Sequence, residues 1–196
     1  FWTPYTILSF PEFLEWNLRE VEIVRNAGIV PYTVQYIGTT NLLYELRQTI
    51  LWGLGPLLGV LAWGGFLATI AVNVRRPRMG QVLMLAWAIP LLLIVVSMEV
   101  KFLRYTFPLM PVMVVLGSGV ALAGVRWLRD RRPSLARACM VLLGVTLAFT
   151  VFYGLAFQSI FSRPHTAVQA SRWLNENVPY TATILTDNHW DEGIPD

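Results

Sequence analysis

The chain has 196 residues, of which 55% are hydrophobic and only 14% are charged, a composition that lies outside the usual soluble range and favours a lipid bilayer as solvent. The formal net charge is +3, but the basic residues are not interleaved with stacking aromatic residues along one face, so nucleic-acid binding is not expected. The single cysteine, Cys139, excludes an intrachain disulfide and a thiolate metal cluster.

Residues 1–48 are too polar to span a membrane and predict an extracytoplasmic loop with an amphipathic helix. Ser9 and Glu12 have the spacing of a capping box, and apolar residues then recur at helical intervals from Leu14 onward. We therefore expect a helix over residues 10–27, either lying on the membrane surface or packed against the protein.

The stretch PYTVQYIGTT, at residues 31–40, predicts a loop that lines a polar cleft. The possible cleft-lining residues are Tyr36, Thr39, Thr40, Tyr44 and Glu45. Glu45 and Arg47 stand near the outer end of the first predicted span. They either pair with each other or face the cleft, and the sequence leaves both interpretations open.

Four charge-free windows of 27, 20, 21 and 25 residues follow along the chain. A helix needs about 20 apolar residues to cross the hydrocarbon core, and a charge at mid-span costs about 2.5 to 3.5 kcal/mol. Each window therefore predicts one transmembrane helix of an all-α polytopic membrane protein. The predicted spans, which together make residues 49–162 a transmembrane bundle, are residues 49–73, 80–98, 106–125 and 138–161.

Arginines are concentrated in two of the loops that connect these spans. Residues 75–78 carry three Arg and residues 126–137 carry five, whereas the loop between the second and third spans (99–106) has a net charge of only +1. The positive-inside rule places both Arg-rich loops in the cytoplasm. Residues 1–48, the 99–106 loop and residues 163–196 then share the outer side, so both ends of the chain are expected to be extracytoplasmic. Fourteen of the 15 basic residues are Arg, which points to a GC-rich coding sequence and hence to a bacterium. The expected location is the inner or plasma membrane.

Residues 163–196 predict the start of an extracytoplasmic soluble domain of α/β type. Thr166 and Gln169 repeat the capping-box spacing, which makes His165 a residue at the start of a helix and not a base. Alternation of side chains over residues 182–186 predicts a short strand.

No metal or other cofactor is predicted, and a divalent metal ion stays an unsupported option. The acidic loop after the predicted strand has metal-ligand atom types, but their spacing matches no ligand pattern, so a solvated loop is preferred. Its residues are Asp187, His189, Asp191 and Glu192.

Lys101, Arg104 and Tyr105, in the loop between the second and third spans, are the main candidates for ligand binding. Two cations at the level of the outer lipid headgroups, just before Pro108 and Pro111, are suited to a phosphate, because an Arg fork and a Lys point charge both recognise that group. The alternative is that both cations snorkel to the interface without binding a ligand.

Three stretches of the chain carry a resemblance to a known family. They are QYIGTTNLLYELRQTILWGLGPLLG at 35–59, KFLRYTFPLMPVMVVLGSG at 101–119 and ASRWLNENVPYTATILTDNHWDEGIP at 170–195. With these segments, the chain resembles the C-terminal membrane half of polyprenyl-phosphate-dependent glycosyltransferases of the GT-C superfamily. The likeness is to bacterial relatives of the protein O-mannosyltransferase family, family 39 type, and it covers most of the chain.

The resemblance implies an enzyme that transfers a sugar from a polyprenyl-phosphate donor to an unidentified acceptor on the outer face of the membrane, by an inverting displacement. It implies that the catalytic carboxylate is an Asp in the first outer loop, upstream of Phe1, so no catalytic residue is expected in this fragment. It also implies that Lys101, Arg104 and Tyr105 lie near the carrier phosphate. The expected partners are the lipid-linked donor, the bilayer and the acceptor.

A membrane transporter is the main alternative, and it normally places ionisable groups near the bilayer midplane. The four predicted spans contain no ionisable group near the midplane. The polar side chains deep in these spans are those of Thr69, Ser118, Thr146 and Thr150. A non-catalytic membrane anchor for the outer domain is a third interpretation, but it assigns no role to residues 1–48. The pattern favours chemistry at the membrane interface.

Overall fold

A computed structural model describes residues 4–183, apart from the side chain of Tyr5. Over this range the chain is all α, with eight α-helices and no strand. The helices are α1 (Tyr5–Leu8), α2 (Phe10–Arg25), α3 (Leu43–Gln48), α4 (Pro56–Arg75), α5 (Met79–Ser97), α6 (Met110–Arg131), α7 (Pro133–Gln158) and α8 (Thr166–Asn177). The chain divides into two compact units, residues 1–150 and residues 151–196.

Four helical stretches, α4, α5, α6 and the one that begins with α7, are long and apolar enough to cross a membrane. The prediction of an all-α polytopic membrane protein with four spans is therefore confirmed. The bounds of α5 differ from the predicted span by one residue at each end.

The predicted starts of the other spans differ from the observed ones. Helix α4 begins at Pro56 and not at residue 49, because Thr49–Gly53 forms a π-helical turn and Gly55, with φ of 79°, breaks the helix before Pro56. Helix α6 begins at Met110 and not at residue 106, after a 3₁₀ turn over Leu103–Thr106. Counting charges locates apolar windows, but it does not detect these breaks in the backbone.

Helices α4 and α6 pack closely through glycines. A Cβ atom added to Gly117 would lie 2.7 Å from the carbonyl oxygen of Leu61 and 2.9 Å from the Cα atom of Ala62, and a Cβ atom on Gly65 would collide with the backbone of Gly117. Small residues let the two backbones approach, as is usual for helices that pack in a membrane. The buried core around this contact is formed by Ala62, Trp63, Phe66, Leu85, Ala88, Leu109, Met113 and Leu116.

Helix α2 confirms the amphipathic helix predicted over residues 10–27, although it ends at Arg25. The capping box predicted at Ser9 is wrong, because the Ser9 side chain makes no capping hydrogen bond. Ser9 has a ψ of 44°, whereas a capping residue takes an extended conformation that directs its oxygen toward the first free N–H groups.

In the second unit, α8 is the last helix among the described residues. His165 precedes this helix and its ring Nδ1 accepts a hydrogen bond from the backbone N–H of Ala167 at 3.2 Å. The prediction that His165 starts the helix is confirmed, whereas the capping residue is His165 and not Thr166. Most of the strand predicted over residues 182–186 lies outside the described residues.

Candidate functional site

Helix α2 and the loop after α5 are joined by backbone hydrogen bonds at one end of the bundle. The N–H groups of Glu99 and Val100 both donate to the carbonyl of Val24, each at 3.1 Å. In return, the Glu99 carboxylate accepts from the N–H of Ala27 at 2.9 Å. The first polar segment and the 99–106 loop, which are far apart in sequence, therefore form one structure.

Lys101 and Glu45 form a buried ion pair within this structure. The Lys101 Nζ lies 3.3 Å from a carboxylate oxygen of Glu45, and only 1% and 2% of the two side chains are exposed. Lys101 also donates to the Asn41 side-chain oxygen and to the Met98 carbonyl, both at 2.7 Å. The ammonium group of Lys101 therefore donates two hydrogen bonds and is paired in addition with the Glu45 carboxylate.

The Glu45 carboxylate is less completely satisfied than its partner. The ion pair is not aligned as a hydrogen bond, and neither carboxylate oxygen accepts a hydrogen bond from the described residues. Just upstream, Leu42 adopts a φ of 65°, which is rare for a residue with a branched side chain. Strained backbone and an unsatisfied buried carboxylate are features that often mark functional sites.

Helix α3 is connected to the core of the bundle by a chain of hydrogen bonds. The Thr49 hydroxyl donates to the Glu45 carbonyl at 2.7 Å, and the Trp63 indole N–H donates to the Thr49 oxygen at 2.7 Å. Thr49 and Trp63 are both buried. The position of Glu45 is therefore fixed by span α4 as well as by Lys101.

Arg104 differs from Lys101 because its side chain is exposed. Its guanidinium carbon lies 4.4 Å from the centre of the Phe102 ring and 5.5 Å from the centre of the Tyr105 ring. Both distances are within the range of cation–π attraction. Among the residues that the structure describes, Arg104 has no carboxylate partner, so its charge is available to an anion.

An aromatic cluster, which consists of Tyr36, Tyr44, Phe102 and Tyr105, supports Arg104. The rings of Tyr36 and Phe102 meet edge to face with their centres 5.4 Å apart, and Tyr36 meets Tyr44 in the same way at 5.9 Å. Burial of the ring raises the pKa of Tyr36 above its ordinary value of 10.0, and the neighbouring Tyr44 and Tyr105 add to this, whereas Arg104 lowers it.

A largely apolar groove of about 460 Å³ lies between α2 and the end of α5. Val21, Val24, Ile94 and Met98 contribute to its lining, and Tyr105 connects it to the aromatic cluster. Several polar residues, Arg25 among them, also line it. The groove has room for part of an apolar chain beside the Arg104 loop.

The predicted site residues are brought together only in part. Lys101, Arg104 and Tyr105 lie on or beside one 3₁₀ turn, and Tyr36, Tyr44 and Glu45 reach the same loop from the first segment. The Thr39 hydroxyl donates to the Tyr36 carbonyl, and the Thr40 carbonyl accepts from the Tyr44 N–H, so these hydrogen bonds stay within the first segment.

The sequence interpretation paired Glu45 with Arg47 or with a cleft, but the observed partner is Lys101. Asn41 and Phe102 are components of the site that the sequence did not indicate. Phe102 could have been suggested by its position between the two cations, whereas nothing in the sequence distinguishes Asn41. Both residues depend on contacts between distant segments.

No group of three potential metal ligands is found in residues 4–183. The acidic loop of Asp187, His189, Asp191 and Glu192 lies outside the described residues.

Comparison of the chain with protein-family models gave no match, and comparison with the curated proteins and with the solved structures gave none either.

Proposed function

We propose that the protein is an integral-membrane glycosyltransferase that moves a sugar from a polyprenyl-phosphate carrier to an acceptor, and that this chain binds the carrier. The observation that carries the proposal is the exposed guanidinium of Arg104, which stacks on Phe102 in a loop between two apolar helices. A polyprenyl phosphate has its tail in the bilayer and its anionic group at the surface. It therefore requires a cation at the end of the spans.

The groove beside Tyr105 supports the same proposal. Its lining is largely apolar and its volume of about 460 Å³ accommodates the part of the isoprenoid chain nearest the phosphate. Arg104 and this groove are linked through Tyr105, which the guanidinium contacts and which also lines the groove. An amphiphilic anion binds where a charged contact for its headgroup lies beside an apolar contact for its chain.

In the proposed reaction, an acceptor hydroxyl attacks the anomeric carbon of the sugar while the bond from that carbon to the phosphate oxygen breaks. The electron pair leaves with the polyprenyl phosphate, which gains one negative charge. The Arg104 guanidinium stabilises the negative charge that develops on the leaving group. The base that takes the acceptor proton is not assigned to a residue of this chain.

Lys101 supports Arg104 in this proposal and does not itself bind the phosphate. Its ammonium group already donates to Asn41 and Met98 and is paired with Glu45, and the side chain is buried. A phosphate ligand would have to displace Glu45 and leave that carboxylate buried without a counter-charge. Lys101 and Glu45 are therefore positioning residues that hold the loop.

The first test is binding of polyprenyl phosphate without a sugar, because the identity of the sugar is not needed. The complete protein in nanodiscs is titrated with polyprenyl phosphate and, separately, with the uncharged polyprenol. We expect Arg104→Gln to weaken phosphate binding about 10-fold to 100-fold, since a hydrogen bond to a charged group contributes about 1.5 to 3 kcal/mol. Arg104→Lys should recover only part of the loss, because a lysine lacks the planar fork.

Arg47→Gln is the matched control, because Arg47 is also an exposed arginine of the first unit but has no assigned contact with the cluster. Its affinity for polyprenyl phosphate should equal that of the unmodified protein. Equal affinities for polyprenol and polyprenyl phosphate, or an Arg104→Gln protein with unchanged affinity, contradict the carrier role. Transfer of radiolabelled sugar from the carrier then tests the reaction itself.

A transporter is the second candidate, favoured by the unsatisfied carboxylate of Glu45 in the helical segment that precedes the break at Gly55. Broken helices with buried ionisable groups form the binding sites of many transporters. Glu45, however, precedes all four membrane-spanning helices. Carrier-dependent uptake of a solute into proteoliposomes, without sugar transfer, would favour this second function.

A further inference from the structure

We propose that the other end of the bundle binds one anionic phospholipid of the surrounding membrane. Its phosphate is held between Arg129 of α6 and Arg137 of α7, and one acyl chain lies in the cleft between these helices. Helix α6 extends about 33 Å from Met110 to Arg131, so this site is distinct from the Arg104 loop. It does not depend on the proposed sugar transfer.

The first observation is a cavity of about 420 Å³ whose lining combines two arginines with apolar side chains. Helix α6 contributes Arg129 and Val125, which are four residues apart and therefore share one helix face. The α7 residues of the lining have the spacing of a single helix face. They are Pro133, Ala136, Arg137, Met140 and Val141.

The polar and apolar parts of this cavity are arranged in depth. Val125 and Val141 each lie one helical turn, about 6 Å, further from the α6–α7 connection than Arg129 and Arg137 respectively. Arg129 and Arg137 therefore lie nearer the end of the bundle than Val125, Met140 and Val141, which lie toward its middle. This is the order of headgroup and acyl chain in a phospholipid.

The second observation is that both arginines lack a protein partner. The ion pair between Lys101 and Glu45 is the only one in residues 4–183, so neither arginine is neutralised by the nearby Asp130. Arg129 and Arg137 are exposed and permanently charged. Basic pockets between membrane helices are suited to anionic headgroups, whose charge complements them.

The third observation distinguishes a lipid from a soluble phosphate. A second cavity of about 300 Å³ follows along the same two helices and reaches Val114 and Ser118 on α6 and Thr146 on α7. The distance along α6 from Arg129 to Val114 is about 22 Å, which exceeds the roughly 15 Å thickness of one hydrocarbon leaflet. Helix α4 also lines this second cavity, and the two cavities together extend over the length that an acyl chain requires, which a phosphate ion does not use.

The experiment is native mass spectrometry of the complete protein, delipidated in an uncharged detergent and titrated with phosphatidylglycerol or phosphatidylcholine. We expect one phosphatidylglycerol to bind more tightly than phosphatidylcholine. In the double variant Arg129→Gln and Arg137→Gln, its affinity should fall roughly 30-fold. The control is Arg75→Gln with Arg76→Gln, which removes the same charge from the other Arg-rich loop and should leave the affinity unchanged.

Met140→Trp tests the cleft without a change in charge, and Met140 is exposed, so the substitution is not expected to prevent folding. It should weaken phosphatidylglycerol binding while thermal unfolding of the protein stays unchanged. The proposal is overturned if both lipids bind equally, or if the Arg75 and Arg76 control loses as much affinity as the Arg129 and Arg137 variant. It is also overturned if glycerol 3-phosphate displaces the lipid and Met140→Trp has no effect, because the site would then bind only soluble phosphate.

Discussion

The two ends of the bundle hold their positive charges in different ways. At the Lys101 end, one cation is buried against Glu45 and the other, Arg104, is stacked on an aromatic ring. At the opposite end, eight arginines of the α4–α5 and α6–α7 connections and the adjoining helix ends are exposed and have no ion-pair partner among residues 4–183. A buried cation stabilises the protein structure, whereas an exposed one is available to a ligand, so charge alone does not identify a binding residue.

The two ends also differ in how their loops are fixed. The 99–106 loop is tied to α2 and α3 by an ion pair and by several hydrogen bonds between distant segments. The short connection between α4 and α5 is fixed by one neutral side chain, that of Asn73. Disruption of the first end should therefore affect the whole fold, whereas disruption of the second should remain local.

The largest effect is expected for Lys101→Met. This change leaves the Glu45 carboxylate buried without a counter-charge, which typically costs about 3 to 5 kcal/mol. The free energy of unfolding, measured by tryptophan fluorescence in mixed micelles, should fall by about that amount. Carrier affinity should fall as well, because the Arg104 loop loses its support.

The double variant Lys101→Met with Glu45→Met is the control for this comparison. It removes the unpaired charge and should recover most of the lost stability, since a buried ion pair is often replaceable by apolar residues at little cost. Arg104→Met should change the free energy of unfolding by less than about 1 kcal/mol, because its side chain is exposed. If Lys101→Met and Arg104→Met destabilise the protein equally, the distinction between a supporting cation and a ligand-binding cation is wrong.

A smaller effect is expected for Asn73→Ala at the other end. The Asn73 amide donates to the Thr69 carbonyl at 2.9 Å and to the Gln81 side chain at 2.8 Å, and its oxygen accepts from the Arg78 N–H at 2.8 Å. Loss of these three hydrogen bonds should cost about 1 to 3 kcal/mol. Hydrogen exchange should increase in the loop between α4 and α5 and remain unchanged in the 99–106 loop.

Gln81→Ala is the matched change, because it removes only one of the three hydrogen bonds and should cost about 1 kcal/mol. Increased exchange at both ends after Asn73→Ala would show that the two ends are coupled and would contradict the local role. Equal losses in Asn73→Ala and Gln81→Ala would mean that the Asn73 contacts to the backbone contribute nothing.

The four spans were predictable from the sequence because apolar length and the cost of buried charge are properties of a continuous window. The bounds of α5 and α2 follow from such windows and from helical spacing. The start of α4 does not, because it depends on the positive φ of Gly55 and on the π-helical turn before it. Both are conformations of a few backbone bonds that composition does not reveal.

The candidate site was predictable only as a location. The charges of the 99–106 loop indicated Lys101 and Arg104 together, but their different environments depend on Glu45, which lies 56 residues earlier in the chain. The sequence left open whether Glu45 pairs with Arg47 or faces a cleft, and residues two apart on a helix do not face each other. The roles of these charged residues follow from contacts between distant segments, which local patterns do not contain.

The smallest effect is a response to alkaline pH that should be confined to the Lys101 end. Burial raises the pKa of Tyr36 above 10.0, so the unfolded chain ionises at a lower pH than the folded one. The contribution of Tyr36 to stability is then complete below about pH 10 and decreases as the pH rises toward the folded pKa.

The Tyr36→Phe variant lacks this group and should lose less stability than the unmodified protein between about pH 9 and pH 11. Thermal unfolding midpoints across that range provide the measurement, with Tyr180→Phe as the control, because Tyr180 is 99% exposed. If Tyr36→Phe and Tyr180→Phe lose stability as steeply as the unmodified protein does, Tyr36 does not titrate in the way that its burial predicts.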